Sequence, residues 1–368
     1  VVSRSPAEAY AASRRRTERP RLADFVGVLP FTLDEFQVRA CEALEDGHGV
    51  LVCAPTGAGK TVVGEFAVHL AIAEGTKCFY TTPIKALSNQ KYADLVARYG
   101  ADQVGLLTGD TAVNGHAPIV VMTTEVLRNM LYASSPALYG LGYVVMDEVH
   151  YLADRFRGAV WEEVILQLPA EVAVVGLSAT VSNAEEFGDW LVAVRGDTEV
   201  VVDEHRPVPL WQHMMVGSRL FDLFAGEDAG GRLKVDPVLV RHAEEQGRLA
   251  PVAARGGGRG RGGPRRGPAT RSKPTSRVTV IDRLDRAGLL PAITFVFSRT
   301  GCDAAVGQCV RAGLRLTSED EARQVREIVE KHTSELPEAD LGVLGFWEWR
   351  EALERGIAAH HAGLLPAF

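Results

Sequence analysis

The sequence has 368 residues, more than one domain of about 100–200 residues needs and enough for two with linkers. With 46% hydrophobic and 24% charged residues its composition is globular, which excludes wholesale disorder and fibrous repeats. The net charge of -7, taken alone, argues against a nucleic-acid binder.

That average conceals an asymmetry: Pro251 to Arg277 holds seven Arg, one Lys and no acid, and Arg14 to Arg16 with Arg19 and Arg21 form a second basic cluster. No apolar run approaches the roughly 20 residues of a membrane span, and no apolar signal core follows the Arg-rich N-terminus. Five cysteines, at 41, 53, 78, 302 and 309, form no CxxC pair, which speaks against a disulfide framework or a cysteine zinc site. A soluble, cytoplasmic chain without a membrane partner is expected.

In chain order, residues 1–24 read as a basic extension and 25–203 as a first domain. Within it the apolar runs Val50 to Cys53, Cys78 to Thr81, Val104 to Leu107, Ile119 to Met122, Tyr143 to Met146 and Val172 to Leu177 predict buried parallel strands. Lys60 to Ala73 and Ile84 to Tyr99 carry the helical spacing expected of crossovers. The fold class is therefore α/β, with the loops after the strand C-termini gathered on one edge, where ligands bind in such sheets. Residues 204–250 read as a connector and 251–277 as an Arg/Gly-rich insert unable to bury enough apolar surface to order itself. A strand at Ile293 to Phe297 and a helix holding Cys302 and Cys309 open a second, partial α/β domain over 278–368. An acidic helical insertion is expected at 317–355, and a further strand-to-loop unit after Gly356.

Three signals carry chemistry. Ala54-Pro-Thr-Gly-Ala-Gly-Lys-Thr61 follows a strand and opens a helix, as a phosphate-binding loop must: glycines let backbone N–H groups approach phosphate oxygens, and the helix N-terminus adds positive potential. Pro55, Thr56, Gly57, Ala58 and Gly59 would line the phosphates, Lys60 would reach the β and γ groups, and Thr61 would ligate Mg²⁺. Tyr143-Val-Val-Met-Asp-Glu-Val-His150 ends a neighbouring strand in two carboxylates; Asp147 would orient Mg²⁺ and Glu148 would polarise the attacking water. His150 is a candidate link between the nucleotide and another site. Ser178-Ala-Thr180, after the next strand, reads by itself as a helix cap that Asn183 and Glu186 would serve equally well.

In this order the motifs resemble those of superfamily-two DEVH-box helicases, close to the superkiller-type, exosome-associated RNA helicases and their bacterial HelY-like relatives. The resemblance runs from about Phe31 to Phe368. It implies two RecA-like domains, the second partial here, that use ATP and Mg²⁺ to move on RNA, with RNA-decay nucleases as partners. Phe31-Thr-Leu-Asp-Glu-Phe-Gln37 resembles the adenine-reading segment and implies base contact by Gln37. Segments starting at Thr82, Thr108 and Met122 resemble strand-contact motifs and assign nucleic-acid contact to Pro83, Lys85, Thr108, Gly109, Thr123, Thr124 and Arg128. Phe295-Val-Phe-Ser-Arg299 resembles the opening of the second domain and adds Ser298 and Arg299; Ser178 and Thr180 acquire a coupling role. Arg157-Gly-Ala-Val-Trp-Glu-Glu163 and the segment from His360 are similar to stretches of the same subgroup.

Several of these residues are bland singly. Lys85, Lys91 and Arg128 read as solvated surface cations, and adjacent His360 and His361 point to opposite faces of an extended chain, unlike a metal pair. The chain begins with Val and stops at Phe368 within patterned sequence, so a fragment is expected: one that binds ATP·Mg²⁺, hydrolyses it poorly and does not unwind, because the family's late arginine-bearing motif is not found. DNA in place of RNA, and an incomplete ATPase that only binds nucleic acid, remain alternatives. The Arg255, Arg259, Arg261, Arg265 and Arg266 tract reads either as an RNA-capturing arm or as a solubilising insert.

Overall fold

The computed structural model describes residues 18–154, 157–179, 184–227, 232–249, 275–334, 336–361 and 363–364. The basic cluster at Arg14 to Arg16, Thr180 and Asn183, and the Arg/Gly tract through residue 274 lie outside the described residues. Two compact units divide at Leu210 and Trp211.

The first unit opens with helices α1 (Pro20–Gly27) and α2 (Glu35–Glu45), then alternates β1 (Gly49–Cys53), α3 (Thr61–Glu74), β2 (Lys77–Thr82), α4 (Lys85–Tyr99), β3 (Val104–Leu107), β4 (Ala112–Val113), β5 (Ile119–Thr123) and α5 (Thr124–Tyr132). It continues through β6 (Leu141–Met146), a 3₁₀ turn (Val149–Ala153), α6 (Gly158–Gln167), β7 (Ala173–Ser178), α7 (Ala184–Arg195) and β8 (Thr198–Val202). The sheet order is β4-β3-β5-β2-β6-β7-β1-β8, parallel throughout except for the short β3/β4 pair.

Because successive strand residues face opposite sides, Val50 and Val52 enter one core with Phe25, Phe66 and Tyr80, while Leu51 enters the other with Phe79, Met122 and Trp161. Both faces are thus covered, which explains why these strands are continuous apolar runs instead of alternating ones. Helix α3 packs close because residue 64 is Gly: a Cβ there would lie 3.0 Å from Val145 Cγ1 and 3.1 Å from Tyr80 Cε2. All six expected strands form, and their C-terminal ends share one edge. Helices α1 and α2 and strands β4 and β8, which the apolar runs did not announce, complete the unit.

The second unit contains the antiparallel ribbons β9 (His213–Val216) with β10 (Arg219–Asp222) and β11 (Phe224–Glu227) with β12 (Leu233–Val235). Helices α8 (Pro237–Leu249), α9 (Arg277–Arg286), α10 (Arg299–Arg311), α11 (Glu319–Thr333), α12 (Glu338–Leu341) and α13 (Phe346–Glu354) follow. The expected acidic helices are present as α11 and α13, and α10 carries Cys302 and Cys309. The strand expected at Ile293 to Phe297 is not formed: Ile293, Phe295 and Phe297 are 84%, 80% and 101% exposed. A lone strand cannot satisfy its own N–H and C=O groups, and no described residue pairs with this segment. The described residues after Gly356 likewise form no strand. Among the described residues no second parallel sheet exists.

Candidate functional site

The loop between β1 and α3 makes the expected cradle. Gly57 and Gly59 take left-handed backbone angles, φ 87° and 80°, which side-chain-bearing residues rarely adopt. A Cβ on Gly59 would also lie 2.7 Å from Gln37 Nε2. The buried Gln37 side chain donates from Nε2 to the carbonyls of Ala58 (3.2 Å) and Gly59 (3.1 Å), while its Oε1 accepts from Asp34 N–H at 2.9 Å. Gln37 thus caps α2 and braces the loop with the same amide it was expected to offer to a base. Lys60 Nζ donates to the carbonyls of Ala54 (2.8 Å) and Pro55 (3.0 Å), folded back onto its own loop.

A cleft of about 540 Å³ opens beside this loop, lined by Thr56, Gly57, Gly59, Lys60, Thr61, Glu65, Thr82, Leu87, Gln90, Lys91, Asp147 and Glu148, among others. Burial lowers the Lys60 pKa, and the carboxylates of Glu148 and Asp147 oppose that effect. Asp147 ends β6, which is not the immediate neighbour of β1: β7 lies between them. Contrary to the expected adjacency, the acidic pair therefore lies two strands away from the phosphate-binding loop. The intervening strand is the one that ends in Ser178, so three motifs sit side by side on the edge.

Burial raises the Asp147 pKa; a hydrogen bond from Tyr80 Oη at 3.1 Å and one from the Glu148 N–H at 3.0 Å counter it. Glu148 itself adopts φ 53°, ψ 43°, a left-handed conformation that costs a non-glycine residue about 1–2 kcal/mol. His150 Nδ1 lies 3.3 Å from Glu148 Oε2 and 3.5 Å from the Ala179 N–H, so the imidazole bridges the acidic pair and the Ser-Ala-Thr segment. Ser178 is buried and donates to the Ala179 carbonyl at 2.9 Å.

Thr61 and Asp147 line one cleft and would give a divalent cation two oxygen ligands, and no group of three His, Cys, Asp or Glu among the described residues could hold a metal alone. That donor set fits Mg²⁺, which keeps several waters and is completed by phosphate oxygens. A cation would also offset the unfavourable burial of the Asp147 carboxylate.

Two residues at the site were not expected there: Tyr80 bonds to the lining residue Asp147, and Lys91 is itself part of the lining. Tyr80, fully buried in β2, is fixed against Asp147 by pairing of distant strands. Lys91 is not the solvated cation its helix position suggested: its ammonium is 3.5 Å from Glu65 Oε1 and 5.4 Å from the Tyr80 ring centroid.

The first-unit residues expected to touch nucleic acid follow the same edge, with varied exposure. Lys85 is exposed and pairs with Asp110 at 2.6 Å, and Thr108 Oγ1 donates to the same carboxylate at 3.1 Å. Gly109 has open space around its Cα. Thr123 is half-buried, but Thr124 is fully buried and donates to the Thr82 carbonyl at 3.4 Å, so its hydroxyl is not available to a phosphate. Pro83 is buried and offers its carbonyl to Arg157 at 2.8 Å. Arg128 reaches Asn129 Oδ1 at 3.2 Å and Glu163 at 3.8 Å. In the second unit, Ser298 caps α10 by accepting from Gly301 N–H at 3.0 Å, and Arg299 is exposed. His361 Nε2 lies 2.9 Å from Asp303 Oδ1, and its Nδ1 accepts from the Gly363 N–H at 3.1 Å.

Residues 34–187 match the family model described as DEAD/DEAH box helicase. The chain is 66% identical over 358 residues to "Probable helicase HelY" of Mycobacterium tuberculosis (strain ATCC 25618 / H37Rv), covering 96% of this chain and 39% of that protein. It is 36% identical over 349 residues to "Exosome RNA helicase MTR4" of Homo sapiens, covering 95% of this chain and 32% of that protein. A solved structure of the Mycobacterium smegmatis helicase Lhr bound to ssDNA and AMP-PNP is 28% identical, covers 50% of this chain and 28% of its own, and gives a TM-score of 0.42. The chain spans about two fifths of the length of the mycobacterial relatives it matches. Over nearly all of its length it is thus similar to HelY and, at lower identity, to MTR4, and the DEAD/DEAH box helicase match spans the edge just described.

Proposed function

We propose that this chain is the nucleotide-binding part of an ATP-dependent RNA helicase acting in RNA processing or decay. The observation that carries the reading is the convergence of Lys60, Thr61, Asp147 and Glu148 on one cleft, with His150 reaching from it to Ala179. Lys60, already tethered by two loop carbonyls, exchanges those bonds for the β and γ phosphates, and the backbone N–H groups of residues 57–61 receive the remaining oxygens. Bound Mg²⁺ would neutralise charge developing on the phosphates, held by Thr61 and Asp147. Glu148 aligns the attacking water and accepts its proton. His150 passes the state of Glu148 to Ser178 and Thr180, and Lys85, Thr108, Thr123 and Arg128 grip the strand by its phosphates, as an enzyme indifferent to sequence must.

The test is ATP hydrolysis measured alone, with single-stranded RNA and with single-stranded DNA. RNA stimulates more than DNA, and Glu148→Gln lowers turnover by about 10²–10⁴ while nucleotide still binds. Equal stimulation by DNA would reassign the substrate. Absence of nucleotide binding would overturn the reading altogether.

A further inference from the structure

Arg157, just before α6, has no role in the account so far, yet its side chain joins three segments of the candidate site. Its Nη2 donates to the Pro83 carbonyl at 2.8 Å, in the loop after β2, and to the carboxylate of Glu125, in the first turn of α5 after β5. Its guanidinium sits 5.8 Å from the ring of fully buried Trp161. Trp161 stacks on Tyr151 with ring centroids 5.8 Å apart and 21° between planes, and Tyr151 lies 5.4 Å from the ring of His150. The backbone N–H of Arg157 donates to Asp154 at 2.9 Å, anchoring its own turn. One guanidinium nitrogen thus fastens two candidate strand-contact segments to the stretch that follows the acidic box.

We propose that Arg157 is a positioning residue for nucleic-acid binding: its planar guanidinium, through Nη2, holds the Pro83 loop and the start of α5 at the spacing the bound strand requires, without itself neutralising a phosphate. This rests on the functional reading above. A planar guanidinium can serve two acceptors at fixed geometry, whereas a lysine ammonium on a flexible stem cannot set that spacing. Glu125 satisfies the charge of Arg157, so the pair contributes direction more than field.

The experiment measures the affinity of the 368-residue chain for a single-stranded RNA oligonucleotide across a salt series, for wild type, Arg157→Gln, Arg157→Lys and Glu125→Gln. Circular dichroism reports folding. Each substitution is expected to weaken binding about tenfold, the scale of a lost charge-assisted hydrogen bond, with the slope of log affinity against log salt unchanged. Arg157→Lys keeps the charge and maintains the test if Arg157→Gln does not fold. The proposal is overturned if Arg157→Lys binds like wild type, since charge would then suffice. It is overturned too if Arg157→Gln flattens the slope by about 0.7 while Glu125→Gln binds more tightly, the pattern of a direct phosphate contact. Wild-type chain that binds no RNA would instead sink the functional reading itself.

Discussion

Tyr80 and Asp147 are 67 positions apart and 3.1 Å from bonding partner to partner. The phenol donates to a carboxylate whose burial raises its pKa, so Tyr80→Phe leaves that carboxylate with one donor fewer. Loss of a hydrogen bond to a charged group predicts a stability decrease of about 1.5–3 kcal/mol in denaturant titration. An unchanged midpoint would show that the bond contributes nothing. Gly59→Ala is predicted to be worse for the loop than for the fold: it forces a side chain into φ 80° at about 1–2 kcal/mol and drives a Cβ into Gln37. Urea unfolding checks the first effect, and weaker binding of an ATP analogue checks the second. Lys60, Asp147 and Glu148 were legible from sequence because their chemistry is written in contiguous residues. Tyr80 and Lys91 were not, because what sets Tyr80 against Asp147 and Lys91 in the cleft is parallel pairing of β2 with β6 and the packing of α4, neither of which leaves a local pattern.

Among the elements, the apolar runs in residues 49–180 announced all six central strands because burial on both faces makes each run continuous. Their order was less legible: that β7 separates β1 from β6 follows from pairing, which sequence spacing does not encode. Ile293 to Phe297 has a strand's composition without a strand's partners, and composition by itself cannot supply ladder hydrogen bonds. The helices of the second unit are held differently. Glu354 on α13 accepts from Arg326 of α11 at 2.7 and 3.0 Å and from Arg350 at 2.8 Å, which holds its carboxyl at about 2, below the ordinary 4.5. A depressed carboxyl contributes stability that is present above its unfolded value and lost as pH falls through the folded one. Glu354→Gln should therefore lower the melting temperature at pH 7, by an amount equivalent to about 1 kcal/mol for this screened network, with the difference from wild type vanishing near pH 2. A difference that stays constant from pH 7 to pH 2 would assign the loss to packing.

Across the whole molecule, a net charge of -7 is compatible with gripping a strand because the cations on the candidate edge are few and directed. Lys85, Arg128 and Arg157 each have an acidic neighbour, Asp110, Glu163 and Glu125 respectively, so the edge carries oriented donors instead of a broad positive field. On the proposed function, the β1–α3 loop and the acidic box form one working nucleotide site. Calorimetric titration of a non-hydrolysable ATP analogue with Mg²⁺ tests it, using the wild-type chain and Lys60→Ala. One saturable site is predicted in the wild type, weakened at least about tenfold by Lys60→Ala, the scale of losing one charge-assisted phosphate contact. Equal binding by the two proteins, or none by the wild type, would contradict it.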